Sequence, residues 1–334
     1  MNRIHKKEKL PASYQTQFDR DNGISAITET LGGSEVTQIF VHSVTSLDNI
    51  AEIAPTAPVY PERSVLSARP DDIVCVSKKV DEDYLRFLYK FGIGPRQENI
   101  VLASESANQS SLMSLSDLLI SNDKALSAIQ GLVKPNKKII LNPFIATRKE
   151  FKLAATLESL LGKKVQLLGN PDIVDYANHK HSVKAKALEL GVPVCEGDIV
   201  ELDFGDAGKP VDLKPIRVAI DKYIHKTGRV IIRGTYGASG SSVFIVENNP
   251  ESVEKALSDI ADRTSNKIYL VEVMLKLVAS PNIMLHVEPD NGRVLCVSVT
   301  DQILSDNLMH DGNVYPSSAK TLTDMLNSAW EMSK

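Results

Sequence analysis

The chain has 334 residues, 43% of them hydrophobic and 24% charged, with a formal charge of −4. That length exceeds one ordinary core and implies two or three domains of globular type. The acidic balance argues against nucleic acid as a partner, and no apolar run approaches the roughly 18 residues of a membrane span, so neither kind of partner is expected; a cytoplasmic protein is expected from the three scattered cysteines, which read as reduced thiols.

The N-terminus, MNRIHKKEKLPASYQ, is basic but lacks the apolar centre of a signal peptide. Residues 1–33 are therefore expected to be a disordered or extended lead. Cys75, Cys195 and Cys296 are widely spaced and form no CxxC, which reads as reduced, mostly buried thiols rather than disulfides or metal ligands.

From Val36 the chain alternates strand-like runs with amphipathic segments. VTQIFVH, DIVCVS, ENIVLAS, KKIILN and KKVQLLG are β-branched and aliphatic. Between several of them lie the helical patterns DEDYLRFLYKF, SLSDLLI, DKALSAIQGL and TRKEFKLAATLESLLG. Such alternation predicts βαβ units and a parallel sheet with helices on both faces. The pattern lacks a GxGxxG after its first strand, so a dinucleotide site is unsupported there.

A second pattern begins near Asn178. NHKHSVKAKALELGVPV is a helix stopped by Gly191, and DLKPIRVAIDKYIHKTG is a helix ended by Gly228. Next comes RVIIRGTYGASGSSVFIV, two apolar strands joined by a loop from Gly234 to Gly240. Hairpins usually close with about 2–5 residues. A longer loop of small residues has backbone N–H groups that can wrap an anion, and Arg233 on the preceding strand adds charge. The segment reads equally as a flap over phosphates or as a surface hairpin with a solvated arginine. PESVEKALSDIADRT is a further helix, followed by the strands IYLVEVML, NIMLHV and RVLCVSVTDQIL, the last two joined at Asp290–Gly292, and by a closing helix, SAKTLTDMLNSAWEMS.

This order of parts resembles the ATP-grasp superfamily of carboxylate–amine ligases, over about residues 36–332. Lys180, at the start of the helix ending in GVP, matches the family's first lysine. Arg233, before the glycine- and serine-rich loop, matches its second cation, and Glu272 in YLVEVML matches the adenine hinge. His310, Gly312 and Pro316 in MHDGNVYP match the HxGxxxP turn. A closer resemblance is to pheganomycin-type peptide ligases, carried by VYPERSVLSARPDDIVCVSKKVDEDYLRFLYKFGI and by the TDQ at 300–302.

The resemblance implies a fold of α/β and α+β class: a Rossmann-like pre-ATP-grasp domain at 34–175, an ATP-grasp small α/β subdomain at 176–265 and a partial β-rich subdomain at 266–334. It implies an ATP-dependent ligase in which a carboxylate takes the γ-phosphoryl group and an amine captures the acyl phosphate. Arg233 and His310 would be catalytic. ATP would be bound by Lys180, Arg233, Gly237, Ser239, Gly240, Ser241, Ser242, Glu272, Val273 and Leu275, and substrate by Asp301 and Gln302. The partners implied are a small-molecule carboxylate and an amine or peptide, with a homo-oligomer or a complementing chain possible on the same resemblance.

The residues also admit plainer readings. Lys180, with Lys184 and Lys186, reads otherwise as a solvated helix face, His310 as a loop hydrogen bond, and Asp301 and Gln302 as a strand-end cap. A carboxylate in an apolar strand, as at Glu272, is rarely buried unless paired.

Two departures from the family pattern stand out. The position of its ribose-binding acid is Ala279, with Ser280 next to it. Its magnesium ligands, an acid and then a Glu-x-Asn pair, are expected several tens of residues beyond the HxGxxxP turn, whereas the sequence runs only 24 residues past His310. The cofactors implied are thus ATP and Mg²⁺, with no metal ligands in this chain. That leaves three readings: a C-terminally incomplete ligase, half of a split enzyme, or a non-catalytic nucleotide-binding or scaffold protein.

Overall fold

The structure is a computed structural model that describes residues 33–44, 57–104, 113–206, 208–236, 242–262, 266–287, 292, 294–305, 308, 310–319 and 322–333. The expected lead at 1–33 lies, apart from Gly33, outside them. The chain divides into two compact units, Leu31–Tyr176 and Ala177–Lys334.

The first unit is built on five parallel strands. β1 (Val36–Val41) is followed by a 3-10 segment (Ala57–Leu66), β2 (Ile73–Val76), α1 (Glu82–Tyr89), β3 (Ile100–Leu102), α2 (Leu115–Ile120), α3 (Asp123–Leu132), β4 (Lys138–Pro143), α4 (Arg148–Leu161) and β5 (Val165–Leu167). The sheet order is β3-β2-β1-β4-β5. Every residue of β1 and β2 is buried, as strands covered on both faces require. Alternation sends Ile39, Val41, Ile73 and Cys75 into one core with α2, α3 and α4, and Phe40, Val74 and Val76 into another with α1 and the 3-10 segment. α4 begins at a reciprocal cap: Thr147 accepts from Lys149 N–H, and Glu150 accepts from Thr147 N–H at 2.9 Å. Burial pushes the Cys75 thiol up to about 12, which leaves it inert.

A helix not foreseen from the sequence, α5 (Pro171–Asn178), leads into α6 (Lys180–Glu189), β6 (Gly197–Glu201), α7 (Lys214–Thr227), β7 (Arg229–Gly234), β8 (Val243–Glu247), α8 (Pro250–Ala261) and β9 (Ile268–Val273). The strands form an antiparallel sheet of order β6-β9-β7-β8. Its core comprises Val230, Ile232, Tyr269, Val271 and the buried stripe Ile216, Ala219, Ile220, Tyr223 of α7, spaced as one helical face demands. β10 (Pro281–Val287), β11 (Val294–Leu304) and β12 (His310–Val314) make a second antiparallel sheet, with α9 (Leu322–Ser333) packed on β10.

Besides α5, three features differ from sequence expectation. β9 is the inner strand between β6 and β7, so its residues belong to the first of the two antiparallel sheets. Residues 310–314, expected as a turn, are a strand paired with the far end of β11. The 3-10 segment Ala57–Leu66 carries Pro61 and has little amphipathic pattern to announce it. Among the described residues no helix is long and apolar enough to cross a membrane.

Candidate nucleotide site

Lys180 and Lys184 lie one helical turn apart on α6, so their side chains leave the same face. That face meets β9. Arg233 on β7 and Glu272 on β9 come from adjacent strands, with Arg233 paired to Leu270 in register. All four side chains line one cavity of about 330 Å³, whose other walls include Val183, Ala187, Val194 and Cys195.

Glu272 is the centre of this arrangement. It is 2% exposed, and both carboxylate oxygens are engaged. Oε1 accepts from Lys184 Nζ at 2.8 Å, and Oε2 accepts from Arg233 Nε at 3.0 Å and Nη2 at 2.5 Å. Lys184 donates further to the Cys195 carbonyl at 2.9 Å. Two cations thus share one buried carboxylate, which leaves the network with excess positive charge. Lys180 adds to it: burial, and then the Arg233 charge, hold its amine below the usual lysine range.

The backbone around Glu272 explains Gly197. A Cβ at that position would stand 2.6 Å from Glu272 Cα and 2.8 Å from its Cγ, so only glycine lets β6 lie against the carboxylate-bearing residue.

The loop between β7 and β8 leaves from a tied stem. Asn266, 1% exposed, accepts from Tyr236 N–H at 2.7 Å and donates to Ser242 Oγ at 3.3 Å. Gly234 N–H donates to the Ser242 carbonyl at 2.8 Å, and Lys180 N–H to the Thr235 carbonyl at 3.0 Å. His181 Nδ1 lies 2.5 Å from Thr235 Oγ1. Both ends of the loop and the start of α6 are therefore joined through Thr235 and Asn266.

Of the residues expected to bind ATP, Lys180, Arg233 and Glu272 converge on the cavity, and Ser242 sits in the loop stem. Gly237, Ser239, Gly240 and Ser241 lie outside the described residues. Val273 is buried and its N–H donates to the Glu196 carbonyl at 2.8 Å, while Leu275 is exposed. The remaining expected residues are not in the cavity lining. His310 is exposed on β12, with Nε2 3.1 Å from Asn313 Nδ2. Asp301 accepts from Ser317 Oγ at 2.6 Å and from Ser318 N–H at 2.7 Å and Oγ at 2.8 Å; these bonds lower its pKa. Gln302 Oε1 accepts from Ser280 Oγ at 2.8 Å.

Lys184 is the residue that sequence reasoning passed over, grouping it with a solvated face. Its spacing from Lys180 was the available signal. The donor set suits an anionic nucleotide, with two lysines and an arginine around a partly apolar cavity. It does not suit a metal: among the described residues there is no group of three or more His, Cys, Asp or Glu able to hold one.

Residues 61–159 match the family described as Pre ATP-grasp domain. No curated protein matches the sequence. Among solved structures, biotin carboxylase from Campylobacter jejuni, in complex with β,γ-ATP, superposes with a TM-score of 0.55 at 13% identity, covering 90% of this chain and 58% of its own. The biotin carboxylase domain of 2-oxoglutarate carboxylase from Hydrogenobacter thermophilus gives 0.51 at 12% identity, covering 90% and 57%. N5-carboxyaminoimidazole synthetase from Staphylococcus aureus gives 0.48 at 11% identity, and the chain spans 62% of its length. The fold is thus of the pre-ATP-grasp and ATP-grasp kind, a parallel α/β unit followed by antiparallel sheets.

Proposed function

We propose that the chain is an ATP-dependent carboxylate–amine ligase of the ATP-grasp type, forming peptide-like bonds through an acyl phosphate in the manner of pheganomycin-type ligases. The observation that carries this reading is the convergence of Lys180, Lys184, Arg233 and Glu272 on one cavity beside a small-residue loop. On this reading 34–175 is the preceding domain, 176–265 the small subdomain, whose sheet takes in β9, and 266–334 otherwise part of the β-rich subdomain.

Carboxylate and triphosphate repel one another, so the site has to supply positive charge and exclude water. Arg233 holds Glu272 with Nε and Nη2, and its Nη1 has no partner among the described residues and would reach phosphate oxygen. Lys180 supplies a compact second charge. The loop from Gly237 to Ser241 would close over the phosphates and shield the acyl phosphate from water. The amine nitrogen then attacks the acyl carbon, phosphate leaves with the bonding pair, and the amine releases a proton. Glu272 acts as the counter-ion that fixes Lys184 and Arg233, rather than as a reader of the base, because its oxygens are already bonded. The N–H groups of Val273 and Met274 serve the Glu196 and Arg229 carbonyls, so recognition of the adenine edge passes to the irregular stretch from Leu275.

A second reading, a non-catalytic nucleotide-binding module, is favoured by the same network, since two of the three cations are already engaged by Glu272 and held away from a reacting group. Calorimetry with ATP and Mg²⁺, followed by assay of ADP release with a mixture of amino acids, separates the two. ADP release dependent on amino acids is expected for the ligase. Tight ATP binding without it favours the module, and no binding overturns both.

A further inference from the structure

The segment DEDYLRFLYKF, which the nucleotide reading leaves unused, forms α1 and carries two aromatic rings on its outer side. Leu85 and Leu88 are the buried residues of α1 and pack into the core of the first unit. At about 100° per residue, Asp83, Arg86, Phe87, Lys90 and Phe91 fall on the opposite side, at the i, i+3, i+4, i+7 and i+8 spacing of one helical stripe. That side of a surface helix is ordinarily polar. Here Phe87 is 56% exposed and Phe91 65%, and the two rings meet edge to face with centroids 5.2 Å apart. Single exposed apolar residues are ordinary, whereas adjoining ones mark a surface that something else covers.

The second ring does not hang on a loose end. The helical turn continues through the C-cap, Lys90, and stops at Gly92, whose φ is +68°. Gly92 N–H donates to the Tyr89 carbonyl at 3.1 Å and Ile93 N–H to the Leu88 carbonyl at 3.2 Å. These are the two bonds of a Schellman stop, so Phe91 is held in place as Phe87 is, and the pair is presented with little ordering left to do. The charges beside the rings select what fits. Glu82 and Asp83 lie in the first turn and Arg86 in the last, with Lys90 following. This polarity suits the helix's own dipole, and it also makes the stripe complementary to itself turned end for end. A second α1 laid antiparallel sets acid on base at both ends; laid parallel, it sets like on like.

We propose that the outer face of α1 is an isologous interface between two copies of this chain, packed as an antiparallel helix pair around Phe87 and Phe91. With Asp83 opposite Lys90 of the second copy, the two-fold axis falls between residues 86 and 87, so the Phe87 rings meet at the centre and each Phe91 lies over the first turn of the other helix. The ion pair within the stripe, Arg86 Nη1 to Asp83 Oδ1 at 2.7 Å, joins side chains that are both largely exposed, and such a pair is weak enough to exchange partners. One helix face covers less than a standard interface, so the dimer is reversible and set by concentration. The face lies wholly within Leu31–Tyr176 and owes nothing to the nucleotide reading.

The test is sedimentation equilibrium of the intact chain, without nucleotide, from about 1 to about 200 µM, the range that suits an interface of this size. A monomer–dimer equilibrium is expected. Phe87→Ser and Phe91→Ser should each weaken the dimer tenfold or more, as loss of a central aromatic does. An unchanged melting temperature at the lowest concentration confirms that the fold is intact. Asp83→Lys and Lys90→Glu should each weaken it several-fold by setting like charges opposite one another. The double variant, in which the pair is reversed, should return to within about threefold of the parent chain. A monomer throughout the range overturns the proposal, as does a dimer indifferent to Phe91→Ser, which would place the contact elsewhere. So does a double variant no tighter than either single one, since Asp83 and Lys90 would then not face each other.

Discussion

The two polar centres of the molecule are built on opposite plans. At Glu272 the buried anion is fully paired: two cations share both oxygens of a carboxylate that is 2% exposed. At His42 and Arg63, among the described residues, the ring nitrogen Nδ1 is buried without a partner and the guanidinium stands over aromatic rings with no carboxylate beside it. A closed network is costly to open, because removing one member strands the rest in a low-dielectric setting. An open cluster already bears its unsatisfied group and loses little further when altered. Stability should therefore be sensitive at the first centre and tolerant at the second.

Glu272→Ala gives the largest expected effect. It strands Lys184, 6% exposed, with only the Cys195 carbonyl, and should lower unfolding free energy by about 3–5 kcal/mol in a urea titration. Lys184→Met should cost less, because Arg233 still neutralises Glu272. Equal costs would mean that the two cations do not share the carboxylate. Gly197→Ala tests the same centre from the backbone side, and should destabilise it by about 1–3 kcal/mol through overlap with Glu272.

The second centre should announce itself in acid. The folded ring of His42 titrates at about 4 against an ordinary 6.5. Between those values the unfolded chain binds more protons than the folded one, so stability rises with pH across the window and falls as pH is lowered through it. The contribution is complete above about 6.5 and lost by about 4, and on the linkage relation it is on the order of 3 kcal/mol. His42→Phe removes the titrating group and the unpaired nitrogen while keeping a ring between Phe40 and Phe144. Its stability should fall less than that of the parent chain from pH 6.5 to 4; parallel curves would show that the ring is not held neutral.

The contrast also marks what could be read in the sequence. The parallel unit was legible because its strands are short, fully buried β-branched runs and its helices carry regular apolar faces, as in β1, β2 and α4. Lys180, Arg233 and Glu272 were legible through their place in an ordered set of motifs. Lys184 was not, since a lysine four residues after another on a helix is usually exposed, and only the approach of β9 buries it. The position of β9 was itself hidden: four of its six residues, Tyr269 to Val271 and Val273, are apolar and buried, and nothing in such a run says which neighbours it takes. Asp301 and Gln302 entered only through the resemblance, and their bonds to Ser317, Ser318 and Ser280, 16 to 22 residues away in sequence, could not be read from it. The His42 and Arg63 centre depends on the sheet order bringing β4 beside β1, which no local pattern encodes.

The two arginines bring the comparison to a single pair of variants. Arg233 and Arg63 are both partly or largely exposed, and a composition-based view would treat them alike. Arg233→Ala should raise the Kd for ATP tenfold or more, about 1.4 kcal/mol, and should also lower stability modestly, because Glu272 keeps one cation where it had two. The loss of ATP affinity should be steepest at neutral pH and shrink on the alkaline side, where Lys180, already below the ordinary lysine range, sheds its proton and weakens the parent site too. Arg63→Ala should leave unfolding free energy within about 0.5 kcal/mol of the parent, because no ion pair is broken and the two rings it covers remain in contact at 5.1 Å. Thermal and urea unfolding of the two variants side by side decide the matter. If Arg63→Ala proves the more destabilising, the open centre is a structural clamp, and the division between a closed ionic network and an open cluster fails.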